Sequence, residues 1–310
     1  MNSVKVFSPA TIGNIGPGFD VLGLAVEGMG DIVQARKIKK GVKIKSVYSK
    51  WKIPKDPRKN TAGIAAKEVL KMIGAKGGVE LSIIKGLPAG SGLGSSAASA
   101  TAAAYAVNLI YGNKLSKNEL ILPATKAEEA VSGGFFADNT APALLGGATL
   151  TRSCLPLDVV RLGTISDLII VLVTPEIQVL TKKARAILPK MVRMKDFVGN
   201  MANSCLIASA FSKNDYSLFS RSLNDFIVEP ARAKLIKGFY DVKKSAIDAG
   251  ADGMTISGAG PSVFAITNKM KKAKEIEAAM LDAFRKKDVR ASSIITKPSY
   301  KGTFRLKSWK

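Results

Sequence analysis

Apolar and polar positions alternate early in the chain, and the alternation predicts strands at Val4 to Phe7, Val21 to Val26, Asp31 to Lys37, Val42 to Val47 and Val79 to Lys85. Between the last two the period changes. Ile64, Val69, Leu70 and Ile73 recur at helical spacing, which predicts a helix from about Thr61 to Ile73 with Asn60 at its cap. The alanine-rich run Ala97 to Ile110 predicts a second helix, with Ser95 and Ser96 as N-cap residues. Ser116-Lys117-Asn118-Glu119 has the form of a capping box that opens a third, with Pro123 near its first turns. Strands follow at Ala148 to Arg152 and Val159 to Arg161.

A division between two domains is expected near Leu162 to Ser166, where a strongly apolar strand, Leu168 to Val173, is about to begin. Thr181 to Leu188 reads as a short helix closed by Pro189. Met191 to Phe211 reads as a longer one with Val192, Phe197, Met201, Leu206 and Ala210 near one face. Glu229-Pro230-Ala231-Arg232 opens another, with proline where its missing N–H does no harm. Two apolar strands within Asp252 to Ile266 enclose the turn Ser257-Gly258-Ala259-Gly260-Pro261-Ser262, which either only reverses the chain or presses its backbone against a phosphate loop. An amphipathic helix, Lys274 to Arg285, and a closing strand, Val289 to Thr296, complete the pattern. Antiparallel strands with helices on one side predict an α+β layer in each half. The divisions are 1–165, 166–298 and a basic tail, 299–310.

The densest chemistry lies in Pro88-Ala89-Gly90-Ser91-Gly92-Leu93-Gly94-Ser95-Ser96-Ala97-Ala98, where three glycines and three hydroxyls precede the alanine-rich helix. Glycines let backbone N–H groups approach an anion, and the helix start aims its dipole there. No lysine follows the glycines as in the Walker loop, and the spacing is not that of the dinucleotide fingerprint. A different kind of nucleotide loop is implied. A second loop, Asn14 to Asp20, places two polar side chains beside an apolar strand, either to bind something or to cap turns. Glu128, followed by Asp138-Asn139, offers hard oxygen ligands of the kind Mg²⁺ prefers.

Composition narrows the chemistry further. Histidine is absent, which excludes a Ser-His-Asp triad, a histidine base and a His-ligated zinc. The two cysteines, Cys154 and Cys205, lie far apart and read as buried free thiols. A net charge of +23 attracts anions, yet the basic residues are spread along the chain and no nucleic-acid motif accompanies them. Most of this charge reads as a solvated face, with some steering of anionic substrates, and nucleic acid is the less expected partner. No apolar run is long enough to span a bilayer, and no signal-peptide core opens the chain, so a cytoplasmic location without membrane attachment is expected.

Taken together, the Asn14 to Asp20 loop, the Pro88 to Ala98 loop and the Ser257 to Ser262 turn resemble the three motifs of the GHMP family of small-molecule kinases, closest to its branch that phosphorylates L-homoserine. The resemblance runs from Val4 to about Thr296. Pro9-Ala10-Thr11, Asn14 to Gly23, Ala137-Asp138-Asn139, Ala141 to Gly147, and Thr181 to Arg185 ahead of Leu188-Pro189 carry it. It implies a two-domain GHMP kinase architecture, with an N-terminal fold like domain 2 of ribosomal protein S5 and a C-terminal ferredoxin-like fold. It also implies ATP and Mg²⁺, a homodimer, and phosphoryl transfer to the hydroxyl of L-homoserine in threonine biosynthesis.

By the same resemblance, Pro88 to Ala98 wraps the phosphates, Ser96 and Glu128 hold Mg²⁺, and Asn60 lies near the adenine. Asn14, Asp20, Thr181, Arg185 and Arg232 hold the amino acid, with Asn139 close to the reacting hydroxyl. Relatives such as mevalonate kinase use an aspartate as base where this chain has Asn139, which implies either that a strong general base is missing or that Asp138 substitutes for it, a structural role for Asp138 ranking first. The chain departs from the pattern at Phe136, where homoserine-specific members carry histidine. That departure admits a second reading, another small alcohol as acceptor. A third is a non-catalytic, basic nucleic-acid-binding protein on the same scaffold.

Overall fold

The computed structural model describes residues 2–307; residues 308–310, the end of the stretch read as a basic tail, lie outside the described residues. The first half runs β1 (Ser3–Gly13), β2 (Leu22–Ile38), β3 (Val42–Tyr48), α1 (Thr61–Met72), β4 (Gly78–Ile84), α2 (Ser95–Ile110), α3 (Ile121–Ser132), α4 (Thr140–Leu145), β5 (Ala148–Cys154) and β6 (Leu157–Gly163). The second runs β7 (Ile169–Pro175), α5 (Thr181–Ala186), α6 (Met194–Lys213), α7 (Tyr216–Ser220), α8 (Val228–Arg232), α9 (Phe239–Asp248), β8 (Gly253–Ile256), β9 (Val263–Thr267), α10 (Met270–Arg285), β10 (Ala291–Thr296) and β11 (Phe304–Arg305). The strands form two sheets, so the α+β expectation holds.

Among the described residues the first sheet has seven strands, with β11-β1-β2-β4-β3 in order and the β5–β6 hairpin attached to the start of β2. Its strands are not all antiparallel, because β3 and β4 run side by side in the same direction. The two strands expected at Val21 to Val26 and Asp31 to Lys37 are one long strand. Opposite the Pro9/Ala10 step the pairing jumps from Gly30 to Val26, so residues 27–29 bulge out, with Gly28 at φ 80°. The bulge bends β2 so that its first part pairs with β5 and its last part with β4. The second sheet is antiparallel in the order β10-β7-β9-β8, that of a ferredoxin-like layer.

Three apolar clusters hold these layers. One lies between the first sheet and α1, α2 and α3, where small side chains such as Ala62, Ala66, Ala103 and Ala106 let the helices approach closely. Another joins the halves: Ile12, Leu22 and Leu24 of the first pack in one core with Leu172, Phe211, Phe219 and Phe264 of the second. Burying each such side chain contributes about 1.5–3 kcal/mol. The third fills the space between the second sheet and α9 and α10 through Phe239, Ile276, Met280 and Phe284.

Two expectations about α6 need correction. Its buried residues are Asn200, Ile207, Ala210 and Phe211, while Val192, just before the helix, and Phe197 and Met201 are exposed because the core that joins the halves meets only the C-terminal part of the helix. Cys205 on the same helix is exposed, and Cys154 is half-buried.

The basic stretch from Ser299 is built into the first sheet. Ser299 donates its N–H to Ala25 O, β11 pairs with β1, and Leu306 N–H reaches Lys5 O. Arg161 lies 4.3 Å over the Tyr300 ring and donates to Gly146 O and Tyr300 O.

Candidate active site

At the end of β1 the chain enters the left-handed region at Asn14 (φ 69°), Ile15 (φ 48°) and Asp20 (φ 59°). Asn14 holds this loop closed: its Oδ1 accepts the Asp20 N–H at 3.0 Å and its Nδ2 donates to Gly258 O at 3.0 Å. Gly258 N–H in turn donates to Gly13 O. The Ser257 to Ser262 turn therefore does press on the nucleotide-type loop. Ser257 Oγ donates to Gly92 O at 2.7 Å, and Ser262 N–H to Ser91 O at 3.0 Å. A Cβ on Gly92 would stand 2.4 Å from Ser257 O, so glycine is required there by contact as well as by φ 82°.

The hydroxyls expected to cap α2 are used elsewhere. Ser95 Oγ donates to Leu87 O at 3.0 Å and Ser96 Oγ to Glu128 Oε2 at 2.9 Å, while the N-cap is Gly94 at φ 62° with no side-chain cap. A buried helix start without a cap leaves first-turn N–H groups for a ligand, and an anion suits them. Asn60, in contrast, caps α1: its Oδ1 accepts Ala62 N–H at 3.0 Å and its Nδ2 donates to Pro54 O at 2.8 Å.

A cleft of about 470 Å³ runs between the halves. It collects Asn14, Asp20, Asn60, Ala89 to Gly92, Gly94 to Ser96, Glu128, Asp138, Asn139, Thr181, Arg185 and Arg232 in its walls. Four residues of the expected phosphate segment are not in those walls: Leu93, Ala97 and Ala98 are buried in the apolar interior, and Pro88 contributes its carbonyl to Ser91 Oγ.

At one end of the cleft the charges are paired. Arg185 donates Nη1 to Asp20 Oδ2 at 2.9 Å and Nη2 to Asp20 Oδ1 at 2.8 Å. Arg232 is buried and donates Nη1 to Gly258 O at 2.8 Å and Nε to Ala184 O at 3.3 Å, which ties α8 to both α5 and the glycine turn. Between this end and the glycine loop stand the acids. Burial raises the Glu128 carboxyl to about 7, against the opposing pull of the Ser96 hydrogen bond and Lys85. Burial likewise raises Asp138 to about 7, helped by the charges of Asp20 and Glu128. Asn139 is locked beside it, donating Nδ2 to Asp138 Oδ2 at 3.1 Å and accepting from Thr11 Oγ1 at 2.8 Å.

Sequence reasoning missed Lys85. It lines the cleft under the glycine loop and pairs with Asp31, which is wholly buried, while donating to Ser95 O at 2.6 Å and Ser99 Oγ at 3.0 Å. Asp31 also accepts from Ser99 Oγ and from the N–H groups of Gly86 and Leu87. No local signal marked it: both strands carry other charges, and the pairing shows only when β2 and β4 lie side by side.

A cleft with an uncapped helix start, a hydroxyl–carboxylate pair and an Asp20–Arg185 pair beside the buried Arg232 has the features of a small-molecule phosphotransferase site. Comparison with known proteins agrees. Residues 60–147 match the model of the GHMP kinases N terminal domain and residues 207–286 that of the GHMP kinases C terminal. The homoserine kinase of Methanococcus maripaludis is 42% identical over 271 residues, 87% of this chain and 89% of its own. That of Arabidopsis thaliana is 46% identical over 291 residues, 91% and 78% respectively. The crystal structure of homoserine kinase from Cytophaga hutchinsonii matches with a TM-score of 0.93 at 42% identity, covering 99% of this chain and 98% of that one. The chain belongs to the GHMP kinases, and its homoserine kinase relatives are similar to it over nearly its whole length.

Proposed function

We propose that this chain is an ATP-dependent homoserine kinase, which transfers the γ-phosphoryl group of ATP to the hydroxyl of L-homoserine and so makes O-phospho-L-homoserine for threonine biosynthesis. One observation carries the reading. The open start of α2, the Ser96–Glu128 oxygen pair and the Asp20, Arg185 and Arg232 charges line a single cleft.

The donor set fits Mg²⁺. Ser96 Oγ and Glu128 Oε2 are hard oxygens 2.9 Å apart, and an ion of this kind takes one or two protein oxygens and fills its shell with phosphate and water. When bound, Mg²⁺ and ATP supply the phosphoryl group and neutralise the charge on its oxygens. Everything else falls to the chain. The first turn of α2 and the glycine backbone hold phosphate oxygens. Lys85, anchored on Asp31, fixes where that helix begins. Asp20 faces the substrate ammonium, Arg185 and Arg232 face its carboxylate, and Thr181 at the start of α5 closes the same wall. Asn139, braced by Thr11, orients the hydroxyl. Asp138, raised to about 7, takes up the hydroxyl proton as the new P–O bond forms.

A homodimer belongs to this reading, and the exposed Met191, Met194, Phe197 and Met201 support it. Among the described residues no helix is long and apolar enough to cross a membrane. Release of ADP with L-homoserine, mevalonate, shikimate and galactose as acceptors tests the assignment. Turnover confined to L-homoserine supports it. Preference for another alcohol moves the chain to a different substrate, and binding of RNA or DNA without turnover of any acceptor rejects a kinase.

A further inference from the structure

Arg185 is constrained on three sides. Both terminal nitrogens are committed to Asp20, and its Cζ lies 4.5 Å from the Phe136 ring centroid and 5.2 Å from that of Phe19. Phe19 is shared, since Arg232 Cζ stands 5.1 Å over the same ring. Each terminal nitrogen keeps a second N–H beyond the one it gives Asp20, and the Nε–H is a further donor. Arg185 Nε is buried and has no hydrogen-bond partner among the described residues. Nε is enclosed, so the donors left for an acceptor oxygen of the substrate are the second N–H groups of Nη1 and Nη2 on this cleft-lining side chain.

We propose that Phe136 is a positioning residue that sets the specificity of the acceptor site for a carboxylate, acting through Arg185. The proposal rests on the homoserine kinase reading. With both terminal nitrogens held by Asp20, the guanidinium can still rock about that pair. A ring against its face removes this freedom and fixes where its remaining terminal N–H groups point. An amino alcohol bearing a carboxylate then meets those terminal N–H groups, while one without it leaves them unmet. Phe136 sits at the rim, 36% exposed, so its replacement does not open the core.

The test is a mutant cycle read as kcat/KM for L-homoserine. Phe136→Leu is expected to lower it about tenfold through KM, with kcat and the KM for ATP nearly unchanged. Phe136→Tyr, which keeps the ring face, restores most of the loss. On an Arg185→Gln background, Phe136→Leu is expected to cost less than twofold. The discrimination between L-homoserine and 3-amino-1-propanol, which lacks only the carboxylate, narrows in Phe136→Leu. An equal loss on both backgrounds, or no loss on either, overturns the proposal. Absence of L-homoserine turnover in the parent protein instead defeats the functional reading beneath it.

Discussion

The hydroxyl of Ser96 donates to Glu128 Oε2 at 2.9 Å, a bond that joins the first turn of α2 to α3 across the floor of the cleft. If these oxygens hold the metal, Glu128→Ala lowers kcat for ADP release about a thousandfold, and Ser96→Ala has a smaller effect. Titration of Mg²⁺ in each variant checks this, since the midpoint moves to higher concentration. Equal turnover in Glu128→Ala would remove the metal role.

Lys85 and Asp31 stabilise the fold as a pair. Their side chains are 3% and 0% exposed. Truncating Lys85 to Met leaves Asp31 buried with its charge uncompensated, at an expected cost of about 3–5 kcal/mol. Urea unfolding measures it. The double variant Lys85→Met/Asp31→Leu is expected to recover part of the loss, because the penalty comes from the orphaned charge.

Stability without nucleotide should fall as pH rises. Glu128 and Asp138 bind protons more tightly when folded, each pushed to about 7 from an ordinary value near 4. The folded state therefore holds more protons than the unfolded chain between about pH 4 and 7. The stability this gives is complete at the acid end and is lost as pH rises through 7. Urea midpoints measured across that window should decline in the parent and decline less steeply in Asp138→Asn, where Glu128 alone remains. That variant should also lose the rise of kcat/KM with pH that a base titrating near 7 produces.

The stretch after Pro298 should be needed for stability. Thr303 is fully buried, and its hydroxyl donates to Ala143 O at 2.8 Å and lies 2.9 Å from Ser8 Oγ, while Ser8 also bonds Thr101 of α2. Thr303→Ala should cost on the order of 1–2 kcal/mol. Ending the chain at Pro298 should cost more, because the edge of β1 loses β11. Denaturant midpoints of the two variants give the comparison.

Much of the site was legible in the sequence because it is built from local motifs. Gly90, Gly92 and Gly94 all have positive φ, a backbone demand that shows as residue type. Asp20 stood out as a charge on a loop rich in glycine and proline, whereas Arg185 and Arg232 came from the family resemblance. What was not legible depends on partners distant in the chain. The Asp20–Arg185 pair spans 165 residues, and Lys85 looked like one lysine among many until Asp31 was found against it. β2 read as two strands because residues 27–29 break the alternation without breaking the strand. The apolar residues at the start of α6 followed helical spacing, but spacing alone cannot say whether anything lies opposite.

Identifying the product tests the central claim most directly. With ATP, Mg²⁺ and L-homoserine, phosphorus NMR should show the γ-phosphate of ATP giving way to one phosphate monoester, with mass spectrometry placing the phosphate on the homoserine side chain. ATP consumed only to ADP and inorganic phosphate, or not consumed at all, would contradict it.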